Sequence, residues 1–361
     1  MKSTRAVVFD VGSGSVRAGL AGDPAPSYVI PSRVKMTRHG SSACPRSSFV
    51  GAATGVDAPA VFPVRNGIIT EWDAMEWMWE RAFRELNTPP ERHAVLLSDP
   101  PLSPLTNREK LAEVMFETFC VPALYVENQS VLSMYSCGQT SGLVVESGEG
   151  CSYATPVHEG FYLPSNTCRV DYSGSSLDRY LRALLRDSGI EIAEDSAAAT
   201  EDIKVKCCYV APDLDMELLK GESHVEHVLP DGQRIQLGRE RFICPEALFQ
   251  PRALDSREPG LHTLVMNSLN MCDISLKRVL RQNVLLCGGS TLFRGMPERM
   301  QSELDRVVPG GGVRVVATDT RKHAVWLGGS ILAALSTFQS LWMRRTEYLE
   351  KGPNAVYRGF V

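Results

Sequence analysis

The sequence predicts an α/β fold built from two related halves, and three observations carry that reading. Strand-like and helix-like segments alternate along the chain. The helix-like segments are amphipathic, with one apolar stripe each. Two distant glycine turns share one pattern: "VFDVGSGS" (Val8 to Ser15) and "VVESGEGC" (Val144 to Cys151) each run two apolar residues, an acid, any residue, Gly, any residue, Gly and a small residue. Each turn follows an apolar run and leads into another, as a hairpin does, and two such hairpins suggest a duplicated domain.

The elements between the turns follow from their spacing. In "EWDAMEWMWERAFREL", Trp72, Met75, Trp79, Phe83 and Leu86 share one face, which predicts a core-facing helix. "TNREKLAEVMFETF" offers a Thr106-x-x-Glu109 capping box ahead of Leu111, Val114, Met115 and Phe119 at helical spacing. "SLDRYLRALLRDSG" sets Leu177, Tyr180, Leu181, Leu184 and Leu185 in a stripe that Gly189 ends. "VLLCGGSTLFRGMPERMQSELDRV" passes from an apolar strand through Gly288-Gly289 into an amphipathic helix. The glycine pair in "AVWLGGSILAAL" is open to a reading as helix packing alone. Arg38 to Ala60, rich in small residues and proline, reads as a loop or a small peripheral subdomain.

Composition narrows the classes of function. A chain of 361 residues is long enough for two or three domains. With 43% hydrophobic residues, 22% charged and a net charge of -4, it is a soluble globular type with no electrostatic case for nucleic acid as main partner. "MKSTRAVVFD" lacks the apolar core of a signal peptide and no apolar run is long enough for a membrane span, so the expectation is an intracellular protein without membrane insertion. The ten cysteines sit singly or as Cys207-Cys208, without any C-x-x-C, and read as reduced and mostly buried. His224 and His227 in "SHVEH" lie three apart, but no cysteine or carboxylate framework at ligand spacing accompanies them. A solvated loop is the expectation there, ahead of half a metal site.

Alternate glycines expose backbone N–H groups with no Cβ in the way, and such a concavity attracts phosphate. Taken alone, the first turn reads as an ordinary hairpin. The matched pair points instead to two clamps on one polyphosphate. A carboxylate aimed at phosphate would repel it, so Asp10 and Glu146 make sense as holders of a divalent cation, directly or through water. Gly288-Gly289 at a strand end lets a flat nucleoside lie close to the backbone.

These residues also carry a family resemblance. The chain resembles actin and the actin-related proteins from "FDVGSGSVRAGLAGDPAP" to "WLGGSILAALSTFQSLWMRRTEYLEKGP", with "NGIITEWDAME", "NREKLAEVMFETFCVPALYV", "LPDGQ", "ERFICPEALFQP", "CDIS" and "GGSTLFRGM" between them in the family's order. The resemblance implies the actin fold, shared with Hsp70 and sugar kinases: two duplicated lobes and four subdomains around a nucleotide cleft. Its boundaries fall at 1–31, 63–136 and 324–361 for subdomain 1, 32–62 for subdomain 2, 137–172 and 257–323 for subdomain 3, and 173–256 for subdomain 4. It implies ATP or ADP with Mg2+ or Ca2+. By position, Gly12, Ser13, Gly14 and Ser15 form the first phosphate loop and Gly148, Glu149, Gly150 and Cys151 the second. Asp10 and Glu146 lie near the metal, through water, and Lys204, Gly288, Gly289, Ser290, Phe293 and Lys322 surround the adenosine.

Departures from actin limit what the resemblance implies. Arg17 replaces a phosphate-contacting lysine and is not a neutral exchange. Glu146 and Glu149 replace two aspartates, and Val205 replaces a glutamate on the ribose. Gln129 keeps the glutamine that helps place the attacking water, but Tyr153 replaces the histidine that works with it, and a phenol of ordinary pKa is a poor base at neutral pH. At most a slow ATPase is expected. "HGSSACPRSSFVG", with Pro45 and Arg46, is shorter and more polar than actin's filament loop; "ALDSREPG" puts Asp255, Arg257 and Glu258 where actin is largely uncharged; "MKSTR" replaces an acidic N-terminus; and Asn66 takes the place of a methylated histidine.

Together the changes argue for a fixed structural subunit of a larger cytoskeletal assembly, cytoplasmic and partnered by cytoskeletal or actin-related proteins. This divergence resembles that of family members restricted to male germ cells and the sperm head. The alternatives are a nuclear actin-related subunit of a chromatin-remodelling complex and a polymerising actin-type ATPase. A sugar kinase would need a carboxylate base beside an acceptor pocket, and an Hsp70-type ATPase a peptide-binding domain; neither signal stands out.

Overall fold

Val7–Val11 (β1) is buried along its whole length, as a strand covered on both faces must be. The computed structural model describes residues 4–36, 49–51, 60–192, 197–220, 223–229, 232–308 and 312–357. They divide into two units: Met1–Thr140 with Glu159–Pro164 and His323–Val361, and Ser141–His158 with Ser165–Lys322.

In the first unit, β1 pairs antiparallel with Ser15–Leu20 (β2), placing Asp10 opposite Arg17 and Val11 opposite Val16. On its other side runs Val95–Asp99 (β3), parallel to β1, followed by Ala123–Asn128 (β4), parallel to β3. Tyr28–Pro31 and Met343–Arg344 form the antiparallel edges of this six-stranded sheet. The period of two is visible in the packing: Val7, Phe9, Val95 and Leu97 join one core and Val8 and Leu96 the other. The first core takes Met75, Met78, Trp79 and Phe83 from helix Trp72–Glu85, with Phe9 edge-on to Phe83 at 5.2 Å. The second takes Leu132 from helix Gln129–Ser136 and Trp326 from helix Ala324–Ala334, and Trp326 Nε1 donates to Val8 O at 3.0 Å. A Cβ on Gly328 would lie 1.7 Å from Leu132 O, so the glycine pair of helix Ala324–Ala334 is explained by packing.

The second unit repeats the plan. Gly142–Ser147 (β5) pairs antiparallel with Ser152–His158 (β6), with Glu146 opposite Tyr153, and Val284–Cys287 (β7) runs parallel on the other side of β5. Leu177, Leu181 and Leu185 of helix Gly174–Asp187 pack in its core, and Gly189 ends that helix at φ 77.

Two expectations change, and a third falls mostly outside the described residues. The capping box does not form: Pro104 stands at the cap, so the helix starts at Leu105 and Thr106 already lies inside it. Proline's fixed φ makes it the natural last residue before the helix, and Glu109 accepts from the Tyr357 hydroxyl at 2.9 Å instead of capping. His227 lies not in a loop but in strand Val225–Val228, paired with Arg234–Leu237. Most of Arg38 to Ala60, Pro45 and Arg46 included, lies outside the described residues; the backbone of Phe49–Gly51, with Ala60–Val61, flanks Val34–Met36 in a three-stranded sheet.

Candidate functional site

The first glycine turn spans the four residues after β1. Gly12 N donates to Ser15 O at 3.1 Å, and the turn is held from outside by Ser32, whose hydroxyl donates to Gly12 O at 2.5 Å and whose amide donates to Gly14 O at 3.1 Å. Ser13 Oγ accepts from Gly67 N at 2.9 Å. Gly67 and Asn66 form the two-residue corner of hairpin Val64–Ile69, both at positive φ, 83 and 48, a conformation Asn tolerates well. Asn66 therefore serves the turn that meets the loop.

Beneath the turn, a web of side chains joins β1, β2, β3 and the helix after β4. Asp10 is buried; its Oδ2 accepts from Arg17 Nη1 at 2.5 Å and its Oδ1 from the Ser98 hydroxyl at 3.1 Å. Ser98 Oγ also accepts from Val11 N, and Gln129 Nε2 donates to Val11 O at 3.0 Å and to Ser98 Oγ at 3.2 Å. Asn128 caps the helix by accepting from Ser130 N, which fixes Gln129 at its first position. The amide group of Gln129 is thus given to the protein. Arg17 Nε finds no acceptor among the described residues, a buried cationic N–H of the kind a phosphate oxygen satisfies. In this web, Ser98 is the residue that the sequence does not single out.

The second turn repeats the first: Gly148 N donates to Cys151 O at 3.4 Å. Here the anchor is the Gly148 carbonyl, which accepts from Ser173 Oγ at 2.5 Å, Ser290 Oγ at 2.6 Å and Gly174 N at 3.1 Å. Gly288 sits at φ 89 with its Cβ position 2.3 Å from Ser147 O, so only glycine fits. At Gly148 and Gly289 a Cβ would meet open space, leaving bare backbone for a ligand.

Lys204 carries the charge of this half. Its Nζ lies 2.8 Å from Asp178 and 3.8 Å from Glu149, and donates to Gly174 O at 3.2 Å. Burial works to lower its pKa, but Asp178 and Glu149 outweigh burial and hold the ammonium charged. Burial pushes both carboxyls up against the pull of Lys204. Phe293 is buried in the unit's core, Val205 and Lys322 are exposed, and Gly288 N, next to the 3₁₀ turn of Arg321–His323, donates to Arg321 O at 3.1 Å. Asp178, Ser173 and Gly174 were not singled out from sequence, although the cluster "YSGSSLD" signals a helix start.

Tyr153, opposite Glu146, is buried beneath the Arg169 guanidinium, 5.7 Å from its ring. Burial above all, with Cys151 and Glu146 adding to it, pushes the phenol far above its ordinary pKa. It cannot take a proton from water at neutral pH. Among the described residues no three His, Cys, Asp or Glu side chains converge on one point. Asp10 and Glu146 each stand behind the turn of their own unit, opposite Arg17 and Tyr153. In the altered plug segment, Glu258 accepts from Asp171 N at 3.1 Å, so one of its three charges is used within the unit. No described helix is long and apolar enough to cross a membrane.

Comparisons with known proteins identify the family. The family described as Actin matches residues 1–200 and 194–361. The chain is 48% identical to human actin-like protein 7A over 98% of its own length and 84% of that protein's. It is 47% identical to rat actin-like protein 7A, over 99% and 83%, and 45% identical to human actin-like protein 7B, over 98% and 88%. The chain belongs to the actin family.

Proposed function

We propose that this actin-like cytoskeletal protein binds ATP or ADP with Mg2+ or Ca2+ and retains it with little hydrolysis, as a structural subunit of a cytoskeletal assembly. The backbone amides of Gly12–Ser15 and of Gly148–Cys151 take phosphate oxygens, and Arg17 offers its unsatisfied Nε to them. Lys204, Gly288, Gly289, Ser290, Phe293 and Lys322 take the nucleoside side. The cation, when bound, neutralises phosphate charge near Asp10 and Glu146. Gln129 orients a water, and Tyr153 does not accept its proton.

The observation that carries the reading is the recurrence of one hydrogen-bonded glycine turn in both units, each with an acid two positions before the first glycine. Cytoplasmic cytoskeletal partners, and the sperm-head setting that the divergence suggested, follow the actin-family reading. Nucleotide extracted from the purified protein tests the binding: one adenine nucleotide per chain supports it, and a folded, empty chain refutes it. Pelleting after addition of Mg-ATP and salt tests the fixed-subunit role, which predicts a soluble chain; robust filaments would return the protein to the polymerising class.

A further inference from the structure

Away from the glycine turns, three side chains of the second unit form a relay. Cys207 closes helix Ala197–Cys207, and its Sγ lies 3.4 Å from His227 Nδ1. The other ring nitrogen, Nε2, lies 3.1 Å from Asp202 Oδ2, on the preceding turn of the same helix. Asp202 Oδ1 pairs with Lys206 at 2.7 Å, and that hydrogen bond, with the His227 contact, keeps the carboxyl below its usual range. An anionic Asp202 on Nε2 favours the tautomer that carries its proton there, which turns the Nδ1 lone pair toward the thiol.

The order nucleophile, imidazole, carboxylate is the arrangement by which a side chain is activated at the moment of attack. Burial pushes the Cys207 thiol up, so its resting form is the protonated thiol and a base is needed. Cys207 is half-buried, while the adjacent Cys208 is buried and turned to Cys244. Arg241 and Lys206 bring positive charge to Cys207, and Asp202, itself paired with Lys206, brings negative charge.

We propose that Cys207 is a base-assisted modification site for small anionic disulfides of the glutathione type. The Cys207 sulfur attacks one sulfur of the disulfide while its proton passes to His227 Nδ1. The disulfide's S–S bond breaks, its electron pair leaves on the departing sulfur, and that sulfur takes the proton from Nδ1 and leaves as a thiol. Cys207 ends in a mixed disulfide, and the relay returns to its starting state.

The test is peptide mapping by mass after the purified full-length chain meets glutathione disulfide. Cys207 is expected to be modified about tenfold faster than half-buried Cys120, Cys137 and Cys168. His227→Asn and Asp202→Asn should each slow Cys207 by about tenfold and leave those three unchanged. Unmodified Cys151, Cys244 and Cys287, all buried, report that each variant keeps its fold. Cationic cystamine should modify Cys207 more slowly than glutathione disulfide does. The proposal is overturned if Cys207 reacts no faster than the other half-buried cysteines, or if a folded His227→Asn protein reacts as fast as the parent. The wild-type ranking decides by itself should a variant open the core.

Discussion

The two glycine hairpins share a backbone and differ in how they handle charge. Asp10 and Glu146 occupy the same place, opposite Arg17 and Tyr153 in the same register, with a parallel strand on the far side of each. In the first hairpin the cross-strand partner is a counter-charge, and Asp10 is closed into a web with Arg17, Ser98 and Gln129. In the second it is a phenol that burial keeps protonated, and the local charge pairing lies elsewhere, between Lys204, Glu149 and Asp178. The turn's backbone is therefore alike in both units, while the residue facing the acid differs: a counter-charge in the first and a protonated phenol in the second. The phenol stands where the resemblance to actin places a histidine that assists hydrolysis.

The comparison can be broken at the backbone or at the side chains, and the backbone should matter most. Gly288→Ala forces a Cβ onto Ser147 O at a positive φ, and is expected to cost about 4 kcal/mol or more, seen as lost soluble protein or a collapsed thermal midpoint. Gly12→Ala, whose Cβ would lie 3.3 Å from Ser15 O, should cost only about 1 kcal/mol. Next comes the counter-charge. Arg17→Ala leaves Asp10 buried without its ion-pair partner and should cost about 3 to 5 kcal/mol by chemical denaturation, whereas Tyr153→Phe should be near neutral. Equal losses at both positions would dissolve the distinction between the hairpins.

A smaller effect sits beside the first web. Removal from water pushes the Glu127 carboxyl up from 4.5 to about 7, against the Asn128 amide and Arg108, with Asp99 adding to the rise. The folded chain thus holds a proton through that window after the unfolded chain has released it, so stability falls as pH rises from about 4.5 to about 7. Glu127→Gln should flatten the slope by about 2 kcal/mol, read from melts at about pH 5 and about pH 8. The last expected effect is chemical: Tyr153→His should restore a base and raise phosphate release about tenfold, equivalent to about 1.4 kcal/mol in the barrier.

Much of this was legible in the chain itself. The paired turns announced themselves because glycine spacing and the preceding acid are local features, and the stripes of helices Trp72–Glu85 and Gly174–Asp187 follow from periodicity. The ion pair of Asp10 and Arg17 was within reach, since a four-residue turn sets two positions equidistant from it face to face. Ser98 was not: it meets Asp10 across 88 positions, through parallel pairing that no local pattern encodes. Thr106 misled because a capping motif is only a motif, and Pro104 overrules it. His227 looked like loop because its strand is four residues long, too short for a period to show, and Cys207 and Asp202 come to it only through the fold.

The central claim is that the two loops hold a nucleotide behind a site whose base has been disabled. Its most direct test is a single-turnover measurement of phosphate release from purified protein loaded with Mg-ATP, beside the Tyr153→His variant. The account predicts one bound ATP per chain, persisting in the wild type and cleaved about tenfold faster in the variant. A wild-type chain that binds no ATP, or that releases phosphate as fast as the variant, would contradict it.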